Sequence, residues 1–201
     1  MSKRVASVER NTSETQIALS LNIDGSGNYN NETPVPFLNH MLDLFAKHAL
    51  VDLEIKATGD VEVDYHHLVE DVGIVLGNAF KEAVGERKGI NRYGFWVLPM
   101  DEAQAQAEVC LDLSGRPFFV YKFEHEQKYI RDFDVTIMKH FWRSFSDAAQ
   151  INLHIELKFG EDIHHCIEAV FKAVARAMRM ACAEDPRALE QVPSSKGRLG
   201  S

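Results

Sequence analysis

The residues best suited to chemistry are two short runs, His66-His67-Leu68-Val69-Glu70 and His164-His165-Cys166-Ile167-Glu168. On an α-helix, successive residues advance by about 100°. His66 and Glu70 then share a face one turn apart and form a chelating pair. His67 points away from that face and is left for a second ion. The same holds for His164 with Glu168, and for His165. Imidazole and carboxylate donors suit first-row divalent ions. The absence of thiolate donors argues against a cysteine-type structural zinc cage. These donors do not separate Mn, Fe, Co, Ni and Zn. Cys166 reads as a core thiol rather than a ligand.

The two runs sit in an internal repeat. His40-Met-Leu-Asp-Leu-Phe aligns with His140-Phe-Trp-Arg-Ser-Phe, and Val51-Asp-Leu-Glu-Ile with Ile151-Asn-Leu-His-Ile. Lys56-Ala-Thr-Gly-Asp60 then aligns with Lys158-Phe-Gly-Glu-Asp162, followed by the His-His-x-x-Glu runs. His40 and His140 therefore hold matching places and each completes a ligand set. The expected groups are His66, Glu70, His140 and His165 around one ion, and His164, Glu168, His40 and His67 around the other. Whether they meet within one chain or across an interface stays open.

These ligands need elements to carry them. Alternation predicts strands at Val5–Asn11, Gln16–Ile23 and Leu50–Ala57. Helical spacing covers Phe37–His48 and Tyr65–Val84, with Gly85 as the stop. The second half predicts strands at Phe95–Pro99, Gln104–Leu113, Phe118–Phe123 and Asn152–Lys158. Its helices are Val135–Gln150 and Ile163–Ala183. The reading is an internally duplicated α+β fold, each half a small sheet with helices on one face. The halves span 1–90 and 91–185, and a tail spans 186–201.

The background composition excludes several functions. The 201 residues carry 22 Lys+Arg against 30 Asp+Glu, a net charge of −8, which argues against nucleic-acid or membrane-surface binding. A local basic pocket remains compatible with this balance. Three cysteines without paired spacing point to a reducing compartment, with the cytoplasm as the expected location. No apolar run approaches bilayer length, and Met1–Arg10 lacks the apolar core of a signal peptide. Among the nine histidines, His125 and His154 read as incidental. His48 suits the negative end of its helix.

The chain resembles the imidazoleglycerol-phosphate dehydratase family over nearly its whole length. The resemblance rests on Arg10-Asn-Thr-Ser-Glu-Thr15, Phe37-Leu-Asn-His-Met-Leu-Asp43 and Asp64-Tyr-His-His-Leu-Val-Glu-Asp-Val-Gly73. It continues through Arg92-Tyr-Gly-Phe, Pro99-Met-Asp-Glu102, Asp112-Leu-Ser-Gly-Arg-Pro117, His164-His-Cys-Ile-Glu168 and Pro193-Ser-Ser-Lys-Gly197. It departs at Leu68, where the family usually has threonine.

The resemblance implies halves similar to the second domain of ribosomal protein S5. It also implies dehydration of imidazole glycerol phosphate through a metal-bound imidazolate, two Mn(II) ions per active site and a 24-subunit homo-oligomer. Glu14 is the implied acid/base group and Glu168 the alternative. Arg92, Arg116, Ser194 and Lys196 would clamp the substrate phosphate, with Lys172 reaching toward it. His48 and Ser195 complete the candidate substrate contacts. The rival readings are a two-metal hydrolase and a non-catalytic, metal-dependent assembly protein.

Overall fold

The computed structural model describes residues 4–100 and 105–200. Asp101 and Glu102 of the Pro99–Glu102 motif lie outside the described residues, as do Gln104 at the expected strand start and the first three residues. The first half runs β1 (Val5–Asn11), β2 (Thr15–Asn22), β3 (Tyr29–Glu32), α1 (Pro36–Ala49), β4 (Asp52–Gly59) and α2 (His66–Val84). The second half runs β5 (Tyr93–Met100), β6 (Ala105–Asp112) and β7 (Phe118–Lys122). A small hairpin follows, β8 (Tyr129–Ile130) and β9 (Phe133–Asp134), then α3 (Met138–Ala149), β10 (Asn152–Phe159) and α4 (Ile163–Cys182).

The halves are built alike. Their sheets have the orders β1-β2-β4-β3 and β5-β6-β10-β7. In each, the first two junctions are antiparallel and the last is parallel. Even the helix ends correspond. Leu50 and Gln150 both end their helices in the left-handed region, at φ 55° and 56°. Beyond them, Val51 N donates to Ala46 O and Ile151 N to Ser146 O, each at 3.2 Å. Such bonds satisfy carbonyls that the last helical turn leaves without partners. The fold class is the duplicated α+β arrangement that the repeat predicts.

Alternation along the strands explains the layers. In β2, Ile17, Leu19 and Leu21 are buried, and the residues between them face outward. Each sheet turns its apolar face to the helices. α2 packs on β1 and β2, and α4 on β5 and β6. The helices then pair across the halves, α2 with α3 and α1 with α4. Trp142, Phe141 and Phe145 of α3 fill this layer with Phe171 of α4 and Phe80 of α2. Gly73 and Gly77 let α2 approach α3 closely. A Cβ on either would lie 2.5 or 2.6 Å from the carbonyl oxygen of Phe141 or Phe145.

Three elements differ from expectation. β3 was not foreseen, because Tyr-Asn-Asn-Glu has no apolar alternation. It is an edge strand, held by parallel pairing with β4 rather than by a buried face. The β8–β9 hairpin fills a stretch with no counterpart in the first half. The helix expected from Val135 begins at Met138, because Asp134 caps a separate 3-10 turn by accepting from Thr136 N.

Candidate metal and substrate site

The cross-half helix pairing assembles two triads. His66 and Glu70 on α2 meet His140 on α3, and His164 and Glu168 on α4 meet His40 on α1. In each triad one donor atom per residue lies within 4.8 Å of the others. His66 Nε2 is 3.2 Å from Glu70 Oε2, and the His66 and His140 rings are 4.5 Å apart. His164 and His40 approach Glu168 Oε2 at 3.7 and 3.8 Å. Two imidazoles and one carboxylate, converging from two helices and partly exposed, fit a divalent ion with room for further ligands.

The triads differ in their support. Ser144, a turn beyond His140, donates to Glu70 Oε1 at 3.1 Å. Glu168 Oε1 instead meets the Lys172 ammonium at 2.5 Å. Burial pushes the Glu168 pKa up, but Lys172, with His40 and His164, holds it below the ordinary value. Burial lowers the His164 pKa, and the neighbouring His40 adds to that. Phe37 packs edge-on against His164 at 5.3 Å. With Tyr65 and Phe133 it walls a cavity of about 290 Å³ that opens on His40 and His164. Asp132 of the β8–β9 hairpin accepts a 2.6 Å hydrogen bond from the Tyr65 hydroxyl there.

His67 and His165 stand outside both triads. His67 Nδ1 lies 3.0 Å from Asp60 Oδ2, and this hydrogen bond holds its pKa above the ordinary value. His165 Nδ1 lies 3.5 Å from Asp162 Oδ1. Cys166 is fully buried against Gly160, and burial pushes its thiol up to about 11. Leu68 is also fully buried, so the departure from the family pattern faces the core.

The Arg10–Thr15 segment places Glu14. Arg10 pairs with buried Asp71 of α2 at 3.0 Å, and Thr15 donates its hydroxyl to the same oxygen. Thr12 Oγ1 accepts from Glu14 N and Thr15 N and shapes the turn. The Glu14 carboxylate, half exposed, ends 4.0 Å from His67 Nδ1. His48 lies among Lys172, Arg176 and Glu168, and burial, then the two cations, lowers its pKa.

The arginine and tail residues gather elsewhere. Arg92 grips Asp112 with Nε and one terminal nitrogen at 2.7 and 3.0 Å. Its other terminal nitrogen donates to the Pro193 carbonyl at 2.7 Å, which docks the segment carrying Ser194, Ser195 and Lys196. Arg116 joins through Ser114, whose hydroxyl donates to its carbonyl and whose own carbonyl accepts from Gly200 N. Arg92 N donates to Ala181 O at the far end of α4. At about 1.5 Å per residue, that is roughly 20 Å along the helix from Glu168. One chain therefore does not bring this set to its own triads.

Sequence reasoning missed Asp60, Ser144, Asp71 and Asp112. The first two lie outside the His-His-x-x-Glu spacing. Asp71 and Asp112 stood in the quoted motifs without a role.

A duplicated α+β scaffold with two histidine–carboxylate triads between its halves is the architecture of an enzyme whose side chains are compatible with a pair of metal ions. The imidazoleglycerol-phosphate dehydratase family pattern matches residues 33–178. The imidazoleglycerol-phosphate dehydratases of Pelobacter propionicus and Citrifermentans bemidjiense are 54% and 53% identical over 196 residues, covering 98% of this chain and 99% of each relative. The Staphylococcus aureus crystal structure of the same name superposes with a TM-score of 0.81 at 35% identity, covering 90% of this chain and 99% of that one. The Pyrococcus furiosus structure, in complex with (S)-C348, gives 0.81 at 33% identity, covering 96% and 100%. The chain belongs to the imidazoleglycerol-phosphate dehydratase family and is a hydro-lyase. None of its helices is long and apolar enough to cross a membrane, among the described residues.

Proposed function

We propose that this chain dehydrates imidazole glycerol phosphate to imidazole acetol phosphate in histidine biosynthesis, using two Mn(II) ions per active site. The observation that carries the metal reading is the pair of triads, each drawing ligands from both halves. His66, Glu70 and His140 would hold one ion, and His40, His164 and Glu168 the other. His165 and His67 would supply the fourth ligands. Bound there, the ions act as Lewis acids that favour the deprotonated form of an imidazole ring.

The chain's own residues do the rest. The substrate proton to be removed is not beside a carbonyl, so its carbon is weakly acidic and the base must be well placed. Glu14 is that base. It is outside the triads, half exposed, and carried on a turn tied to α2 through Asp71. Glu168 is the weaker alternative, because Lys172 and two histidines already share its charge. Lys172, paired with Glu168 of the second triad, and the neighbouring His48 are the remaining candidate contacts for an anionic group.

Arg92, Arg116, Ser194, Ser195 and Lys196 form the phosphate end. Their separation from the triads within one chain supports a site completed by a second copy, and hence a homo-oligomer of the large family type. His67 and His165, turned away from their own triads, fit the same arrangement. The three free cysteines suit a cytoplasmic setting.

Loading the full chain with Mn(II) and assaying ketone formation against phosphate release tests the activity. Ketone without phosphate is expected; phosphate release would indicate a hydrolase, and neither product would leave an assembly role. Glu14→Gln should lower kcat by roughly 10²–10⁴-fold with metal content intact. Near-normal turnover would remove Glu14 from the chemistry.

A further inference from the structure

We propose that Asp60 is a positioning residue that sets the tautomer and direction of the His67 ring through Nδ1, leaving Nε2 as its ligating atom. The inference rests on the reading of His67 as a metal ligand. Asp60 Oδ2 lies 3.0 Å from His67 Nδ1, and the carboxylate is mostly buried, at 23% side-chain exposure. A carboxylate at that distance accepts the Nδ1 proton. With the proton held on Nδ1, the lone pair left for a metal is the one on Nε2.

Asp60 is itself held in place. Its backbone N–H donates to the Glu14 carbonyl at 3.1 Å, and its carbonyl accepts from Val63 N. Gly59 beside it is closely packed: a Cβ would lie 3.3 Å from both Glu14 O and Thr15 Cγ2. The end of β4 is thus pressed against the turn that carries Glu14. One residue links the candidate base, through backbone, to the candidate ligand, through a side chain.

The repeat supplies a second observation. In the other half Asp162, the residue that caps α4, lies beside His165 Nδ1 at 3.5 Å. Its oxygen already caps α4 by accepting from His165 N at 3.0 Å. His165 Nδ1 is buried without a hydrogen-bond partner. A carboxylate thus stands near Nδ1 in both halves, hydrogen-bonded to His67 and only close to His165, and it comes from a different position in each. Both histidines outside the triads have a carboxylate on the same ring nitrogen.

The test uses the full chain and Mn(II) alone, titrated by calorimetry and checked by metal analysis. His67→Ala should weaken one class of site and spare the other. If it spares both, the reading of His67 as a ligand fails, and this inference with it. Asp60→Ala should weaken that same class by roughly 10–100-fold, the usual loss on removing a partner behind a ligating histidine. Asp60→Asn should recover most of the affinity, because its amide oxygen accepts the same proton. Asp60→Ser, too short to reach Nδ1, replaces the alanine variant if that one does not fold. In a His67→Ala background, changing Asp60 should add nothing. If His67→Ala weakens a site and Asp60→Ala does not, the inference is overturned. Equal weakening of both site classes, or additive loss in the double variant, overturns it too.

Discussion

The two triads occupy equivalent places in a duplicated scaffold, yet they are held differently. At the α2–α3 crossing, Gly73 and Gly77 bring the backbones together, and a neutral hydroxyl, Ser144, steadies the second oxygen of Glu70. At the α1–α4 crossing, the position matching Gly73 is the fully buried Phe171, and the second oxygen of Glu168 is taken by a lysine. The first triad with its partner keeps the charge of one carboxylate. The second is already neutralised by Lys172. Duplication preserved the donors and changed what stands behind them. The first site is suited to gripping an ion. The second opens to the Phe37–Phe133 cavity and has its carboxylate paired with Lys172, so on the reading proposed above it is the one better suited to an anionic substrate.

The sharpest way to break this comparison is to empty one triad at a time. His140→Ala and His40→Ala should each cost about one of two ions per chain, read by metal analysis. Turnover should fall by roughly 10³-fold, the rate equivalent of several kcal/mol of lost charge stabilisation. If either variant emptied both triads, they could not be treated as separate sites.

Gly77→Ala probes the crossing itself. The new Cβ would meet Phe145 O at 2.6 Å and Ala148 Cβ at 2.8 Å. Forcing α3 outward should cost about 1–3 kcal/mol in denaturant unfolding and should lower metal content at the first triad only. A further pair of effects should have opposite signs. Ser144→Ala removes a hydrogen bond to a charged group, worth about 1.5–3 kcal/mol, and should weaken Mn(II) binding. Lys172→Met removes a competing cation and should strengthen binding by about 1 kcal/mol while raising KM. Calorimetric titration of both variants would decide; equal signs would show that the supports are equivalent.

The mildest contrast lies at the loops. Asp52 accepts from Ser26 N and Asn28 N, whereas its counterpart Asn152 donates to Ser114 Oγ and the Arg116 carbonyl. The Ser26 and Asn28 backbone bonds hold the Asp52 pKa below the ordinary carboxylate value. A depressed folded pKa stabilises above the unfolded value and is lost as pH falls through the folded one. Stability should therefore decline in acid, below the reference value of 3.8. Asp52→Asn should flatten that decline at a cost of about 1 kcal/mol near neutrality. Thermal unfolding across that range would show it.

Much of the architecture was legible because the signals are local and doubled. His-His-x-x-Glu at helical spacing, and strands such as Ile17-Ala-Leu-Ser-Leu, announce their faces in one half and repeat them in the other. β3 was not legible, since Tyr29–Glu32 is ordered by the neighbouring strand and not by its own pattern. The β8–β9 hairpin was hidden for a related reason: its Asp132 and Phe133 find their partners, Tyr65 and Phe37, in the other half. At the site, the spacing named ligand types but not the residues behind them. Ser144 and Asp60 reach Glu70 and His67 only after the chain has folded. The phosphate role of Arg92 came from the family resemblance alone, and what the residues themselves did not announce is that its guanidinium also holds Asp112 and the Pro193 carbonyl, fixing the segment that carries Ser194, Ser195 and Lys196.

The exchange of helices between the halves has one more consequence. Neither half carries a complete triad, because His40 belongs to the partner of α4 and His140 to the partner of α2. A free-standing half would hold a bidentate pair and would bind an ion fully only on meeting another half. Joining two halves in one chain turns that encounter into an intramolecular one, at an effective concentration on the order of millimolar. It also frees each side to drift. A symmetric dimer must present the same residue behind both carboxylates, whereas a fused pair can keep a serine behind one and a lysine behind the other.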